Sequence, residues 1–192
     1  MDDQTTQWLA EYRQGNNEAL GHLVEHYRRP LYGFILNMIQ NNGEAEEIFQ
    51  ETWYRAIKNL DRYRDRKFLS WLFRISHNLV IDRARKAKPM VDLGGPDAEN
   101  GQNLENLLKS IAPSPAHAAD HAELGQKIER SIGHLPPEQR EVFLMRMKGD
   151  LPFKEIAKIQ KVSINTALAR MQYALSKLRQ ELNEDYAMLG RG

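Results

Sequence analysis

The sequence predicts an all-α protein: an N-terminal helical bundle, a flexible linker and a C-terminal helix-turn-helix domain. Three observations predict it. Apolar residues recur at helical spacing through most of residues 1–88 and again through 120–186. Between them, residues 89–119 collect Gly-Gly, prolines, Asn and Asp without any such period. A tight turn then separates a short from a longer helical pattern near residue 161, the outline of a helix-turn-helix.

Within 1–88, Leu20, Leu23, Val24, Tyr27, Leu31, Phe34, Ile35 and Met38 form one stripe, which Pro30 is expected to kink or split. A turn at Asn41–Gly43 precedes a second helix, EAEEIFQETWYRAI, with Ala45, Phe49, Thr52, Ala56 and Leu60 inward. DRYRDRK, residues 61–67, reads as a loop. The next helix, KFLSWLFRISHNLVIDRARK, carries Phe68, Leu72, Ile75 and Leu79 on one face and ends in a basic cluster. The linker has room for one short helical turn near Leu104–Ile111. In 120–186, Pro136 and Pro137 open a helix that Gly149–Pro152 closes. Lys154–Gln160 follows as a short helix, Lys161–Val162 turns, and Ser163 caps a helix reaching Leu182. Ala157 is small enough for a close crossing, with Ile156, Val162, Ile164 and Met171 filling the angle. Residues 187–192 are a tail.

Charge sharpens this organisation. The 192 residues carry a net +1, but 1–60 hold 5 basic and 9 acidic residues, and 61–88 hold 9 and 3. Residues 89–125 hold 1 and 6, and 126–192 hold 12 and 8, so basic and acidic blocks alternate. The absence of cysteine excludes disulfides and cysteine-ligated zinc. No apolar run approaches the ~18–20 residues of a membrane span. The polar, acidic opening MDDQTTQWLAEYRQG is neither a secretory signal nor a transit peptide. The expectation is a soluble, cytoplasmic protein with no membrane contact of its own.

Each motif has a plain structural alternative. The helix-turn-helix pattern also fits an ordinary helical hairpin, the acidic helix a solvated face, and the acidic linker a solvated tether. The basic end of KFLSWLFRISHNLVIDRARK also fits a solvated face. Its adjacent loop adds cations beside Tyr63, and aromatic faces with flanking cations suit unpaired nucleic acid. Phe68 and Trp71 read as core.

The second helix resembles the Ala-Glu-Asp-Leu-x-Gln-Glu-x-Phe pattern of bacterial extracytoplasmic-function sigma factors. Ala45, Glu46, Gln50 and Glu51 match outright, and Glu47, Ile48 and Trp53 are similar in kind. The next signature of that family is met by Phe68, Trp71, Leu72, Ile75, Asn78, Asp82 and Arg85. Leu135-Pro136, Arg140, Glu155-Ile156-Ala157, Ser163, Thr166 and Arg170 fall at family spacing in the last domain. The resemblance covers about 20–186. It implies a sigma region 2 domain (1–88), the acidic linker (89–119) and a sigma region 4 domain (120–186).

By the same resemblance, Glu47, Gln50, Glu51 and Tyr54 face core RNA polymerase, with Phe49 and Thr52 inward. Arg62, Tyr63, Arg64, Lys67, Arg74, Asn78, Arg83, Arg85 and Lys86 serve the promoter −10 element. Lys154, Ser163, Asn165, Thr166, Leu168, Ala169, Arg170, Gln172 and Tyr173 serve the −35 element. An anti-sigma protein is the regulatory partner the resemblance suggests, and no catalytic residue, metal or cofactor is implied. The last helix departs from the family in its few cations. Apolar side chains contact thymine methyls and Gln pairs with adenine, so a −35 element with A·T pairs is expected, along with a shallow salt dependence for this domain alone.

Two rivals remain at this point. A two-domain DNA-binding regulator would not need the acidic helix with Gln50 and Glu51. A helical-bundle metallohydrolase could use Glu18, His22 and His26, four apart on one helix, yet the chain has no Glu-x-x-His motif. It also lacks a Gly-rich phosphate loop.

Overall fold

The computed structural model describes residues 3–63, 67–87 and 118–189, without the side chains of Arg62, Ala87, 118–124 and 184–189. Arg64, the short turn expected near 104–111 and nearly all of the 89–119 linker lie outside the described residues. Every regular element among those described is helical. The chain divides into two compact units, Met1–Gly94 with Met147–Leu151, and Gly95–Arg146 with Pro152–Gly192.

The first unit contains α1 (Asp3–Arg13), α2 (Glu18–Ile39), α3 (Asn42–Lys58), a 3-10 turn (Leu60–Arg62) and α4 (Phe68–Ala87). Helix α2 is its spine and packs against α1, α3 and α4. Leu23, Leu31, Phe34 and Ile35 of α2 are fully buried, and Phe34 meets Phe73 of α4 edge to face at 4.8 Å. Of the two outcomes expected at Pro30, a split does not occur: α2 runs unbroken from Glu18 to Ile39. The missing N–H costs about 3 kcal/mol in a helix interior. Burial of Tyr27, Leu31, Phe34 and Ile35 on both sides, at about 1.5–3 kcal/mol each, outweighs that cost.

The expected turn at Asn41–Gly43 is also shorter. The Asn41 side chain accepts from the Glu44 N–H at 3.0 Å and caps α3, so Asn42 and Gly43 are already helical. The five inward residues expected on this helix and its end are all buried, joined by Ile48 and Trp53.

Helix α4 turns a different stripe inward. Phe68, Leu72, Phe73, Ser76 and Val80 are buried, whereas Ile75 and Leu79 are only half-buried. A serine at the centre conceals this stripe in the sequence. Its hydroxyl donates to the Phe73 carbonyl at 3.1 Å, which satisfies it inside the core. Helix α1 has no sequence signal of comparable clarity. Leu9 and Thr5 hold it to α2, with a 2.6 Å hydrogen bond between the Thr5 and Tyr27 hydroxyls.

The second unit contains α5 (Ala118–His134), α6 (Pro137–Met147) except its last residue, α7 (Phe153–Gln160) and α8 (Ile164–Leu189). Helix α8 packs against both α5 and α7. Ile156, Ala157, Ala167, Met171 and Leu175 are buried where α7 and α8 belong to one core. Lys161 turns the chain in the left-handed region (φ 57°, ψ 42°). The Val162 N–H returns to the Ala157 carbonyl at 3.0 Å, closing α7. Ser163 caps α8 as expected, its hydroxyl accepting from the Thr166 N–H at 3.0 Å. Ile164, expected inside the angle, is instead 47% exposed. It is in line with Ala167 and Met171 by helical spacing, but as the first residue of α8 it stands at the end of that buried line. Helix α8 continues beyond Leu182 to Leu189.

Candidate partner and nucleic-acid interfaces

Helix α3 presents one polar face. Glu47, Gln50, Glu51 and Tyr54 follow the i, i+3, i+4, i+7 spacing that aligns side chains on a helix, with Phe49 and Thr52 buried behind them. Tyr54 is 61% exposed. The face is already ordered by short-range bonds: Arg55 Nε donates to Glu51 at 2.7 Å, and Gln50 Nε2 to Glu46 at 3.2 Å.

Helix α4 carries its cations on two sides. At about 100° per residue, Arg74, Asn78 and Arg85 fall on one exposed face, with Lys86 exposed beside it. Arg83 lies on the other side, in line with the buried Leu72, Ser76 and Val80. Its Nε donates to Glu44 at 3.0 Å and its Nη1 to Glu47 at 2.8 Å, bracing α4 against α3. These carboxylates, Glu47 foremost, push the Arg83 pKa up. Arg83 was expected among the −10 residues; here its guanidinium is directed at α3.

Tyr63 requires a correction. It was expected to offer its ring from the loop, yet it is only 5% exposed. The ring stacks on Trp71 at 4.7 Å and meets Phe68 edge-on at 5.3 Å. Burying an aromatic between two others gains more than presenting it to water. The backbone is fixed as well, because Arg13 Nη2 donates to the Tyr63 carbonyl at 2.9 Å. Sequence reasoning missed Arg13, which carries no local signal at a separation of 50 residues. Trp71, read as core, is only half-buried, while Phe68 is buried. Lys67 is exposed.

In the helix-turn-helix, Lys154, Ser163 and Asn165 are exposed, Leu168 and Gln172 partly so, and Tyr173 is 52% exposed. Asn165, Leu168 and Gln172 share a face. Ala169, expected to read bases, is only 9% exposed. Its methyl sits low between the larger Asn165, Gln172 and Tyr173, its neighbours by helical spacing. Ser163 and Thr166 hydroxyls are 2.8 Å apart and serve the cap. Arg170 Nη1 donates to Gln160 Oε1 at 2.8 Å. Nearby, Arg140 Nη2 donates to the Gly133 and Leu135 carbonyls at 2.6 and 2.9 Å and fixes the α5–α6 junction.

The histidines considered as metal ligands have aromatic partners. His22 stacks on Trp8 at 5.7 Å, and His26 meets the same ring edge-on at 5.4 Å. Among the described residues, no group of three or more His, Asp and Glu is placed to hold a metal ion. No helix among them is long and apolar enough to cross a membrane.

Comparison with known proteins bears on both units. The chain matches the family model of Sigma-70 region 2 over residues 23–89 and that of Sigma-70, region 4 over 125–178. It is 32% identical over 181 residues to the ECF RNA polymerase sigma factor SigW of Bacillus subtilis (strain 168), covering 92% of this chain and 95% of the relative. Identity to the ECF RNA polymerase sigma-E factor of Escherichia coli (strain K12) is 29% over 178 residues, 89% of this chain and 91% of that one. Among solved structures, CnrH in complex with the cytosolic domain of CnrY is similar in fold. Its TM-score is 0.64 at 23% identity, with 95% of this chain and 99% of that one covered.

Proposed function

Because this chain belongs to the extracytoplasmic-function group of the sigma-70 family, and is an RNA polymerase sigma factor, we propose how its surfaces divide the work. The α3 face of Glu47, Gln50, Glu51 and Tyr54 docks on core RNA polymerase. The α4 face of Arg74, Asn78 and Arg85, with Lys86 and the preceding loop, holds the −10 element. Asn165, Leu168, Gln172 and Tyr173 of α8 meet the −35 element, with Lys154 beside them. Arg83 acts as an internal brace, and Tyr63 acts from beneath the surface by supporting Trp71.

The family consists of non-enzymatic initiation factors. In this reading the chain carries out no catalysis and needs no cofactor or metal: the polymerase supplies the chemistry and this chain the promoter choice. It works in the cytoplasm, and an anti-sigma protein would act by covering the same docking faces. The apolar side of α4 anchors it in the bundle, and its basic side is thereby held in place for DNA. Holding an unpaired base requires a surface ordered in advance, since extracting that base costs a few kcal/mol.

One observation carries the docking assignment: an acidic, tyrosine-bearing helix face left open while the opposite face of α3 is buried. The test is co-elution with bacterial core RNA polymerase at moderate salt. The native chain should co-elute, and Gln50→Ala/Glu51→Ala or Tyr54→Ala should weaken binding about tenfold or more, as loss of an interface anchor does. Undiminished binding of the variants would move the interface elsewhere. Absence of binding by the native chain would overturn the reading.

A further inference from the structure

Arg170 stands apart from the residues with which it would read the −35 element. At about 100° per residue, Arg170 falls off the face of Asn165, Leu168 and Gln172 and about 60° beyond Tyr173, at the edge of the exposed arc of α8, where it is part-buried. Its direction is set by a relay across three helices. Arg170 Nη1 donates to Gln160 Oε1 at 2.8 Å. The other end of the same amide, Gln160 Nε2, donates to Glu141 Oε2 at 2.6 Å and to the Glu138 carbonyl at 3.1 Å. Glu141 is 3% exposed, an anchored carboxylate rather than a surface charge.

The chemistry permits one orientation of Gln160. Glu141 and the Glu138 carbonyl need a donor and the guanidinium needs an acceptor, so a flipped amide would lose every bond. Arg170 is thereby drawn toward the C-terminal end of α7, on the flank of α8. When a recognition helix lies in the major groove, its central face meets base edges and its flanks meet the phosphate walls.

We propose that Gln160, anchored by Glu141, is a positioning residue that aims Arg170 at a DNA phosphate flanking the −35 element. Base selection then falls to Asn165, Leu168 and Gln172. This rests on the sigma-factor reading of the −35 surface. It assigns Gln160 a part in DNA binding without any contact between Gln160 and DNA.

The test uses full-length chain assembled with bacterial core RNA polymerase and a duplex pool randomised across the −35 region. The selected duplex is then bound over a salt series. If the native assembly selects no sequence, the −35 reading itself fails. If it does select one, Gln160→Met should lower affinity about ten- to a hundredfold, near the worth of a charge-assisted bond. It should also reduce the slope of log K against log salt by about one, the signature of a lost phosphate contact. Base preferences should stay unchanged. In an Arg170→Met background, Gln160→Met should have almost no further effect.

A merely structural role would lower the melting temperature and leave the salt slope alone. That outcome overturns the proposal, as does a changed preference at a single base pair or full additivity of the two substitutions. Gln160 is only part-buried at the end of α7. Gln160→Leu, also a good helix former, serves if the methionine variant loses its fold.

Discussion

Replacing Lys161 by glycine should stabilise the second unit. Lys161 ends α7 with φ 57° and ψ 42°, a conformation that costs a residue with a Cβ about 1–2 kcal/mol. Glycine adopts it freely but has more freedom to lose on folding, worth about 0.4–1 kcal/mol in the opposite direction. The net gain is about 0.5–1 kcal/mol. For a small domain that raises the midpoint of thermal unfolding by roughly 3–6 °C. The Val162 N–H to Ala157 carbonyl bond uses backbone alone and survives the change.

Lys161→Ala is the control: it retains the Cβ and should stay within about 0.5 kcal/mol of the native chain. Circular dichroism melting of the full chain gives the shift. Because two units need not unfold as one, amide hydrogen exchange across α7 and α8 assigns it to the second unit. The reasoning is refuted if glycine and alanine variants melt together, because removing the Cβ would then relieve nothing.

Phe73→Ala should cost the first unit about 3–5 kcal/mol, read from urea unfolding, since Phe73 is fully buried against Phe34. Ser163→Ala removes the α8 cap and should cost about 1 kcal/mol, visible as faster exchange at the Thr166 amide. Arg83→Met should leave strand opening at a promoter near the native level, whereas Arg74→Met with Arg85→Met should lower it. Permanganate reactivity of −10 thymines distinguishes them, and equal losses would return Arg83 to the DNA-binding set.

Much of this was legible in the sequence because it is local. The α2 stripe, the outward face of α3 and the Ser163 cap each depend on residues within two or three turns of one another. Pro30 leaves α2 unsplit because the burial of its neighbours, which only packing reveals, outweighs its propensity penalty. Ile75 and Leu79 misled because a serine satisfied by its own helix can occupy a core position that a hydrophobic pattern leaves blank. Tyr63 and Arg83 misled for one shared reason. Both belong to residue types that serve nucleic acid, and each is claimed by partners far away in sequence: Trp71 and Phe68 for one, Glu44 and Glu47 for the other. Ala169 had the correct helical angle but not the height to clear its neighbours.

The hydrogen bond from Arg13 to the Tyr63 carbonyl has a practical corollary for anyone trimming or labelling this protein. A fragment starting at Leu23, where the region 2 match starts, would retain every family motif and discard α1 whole. It would lose the Thr5–Tyr27 bond and the guanidinium that secures the chain just before the basic loop. Such a fragment would carry the right letters without the bonds that fix Tyr63 and Tyr27. Bulky tags are therefore better placed at the far terminus than against α1.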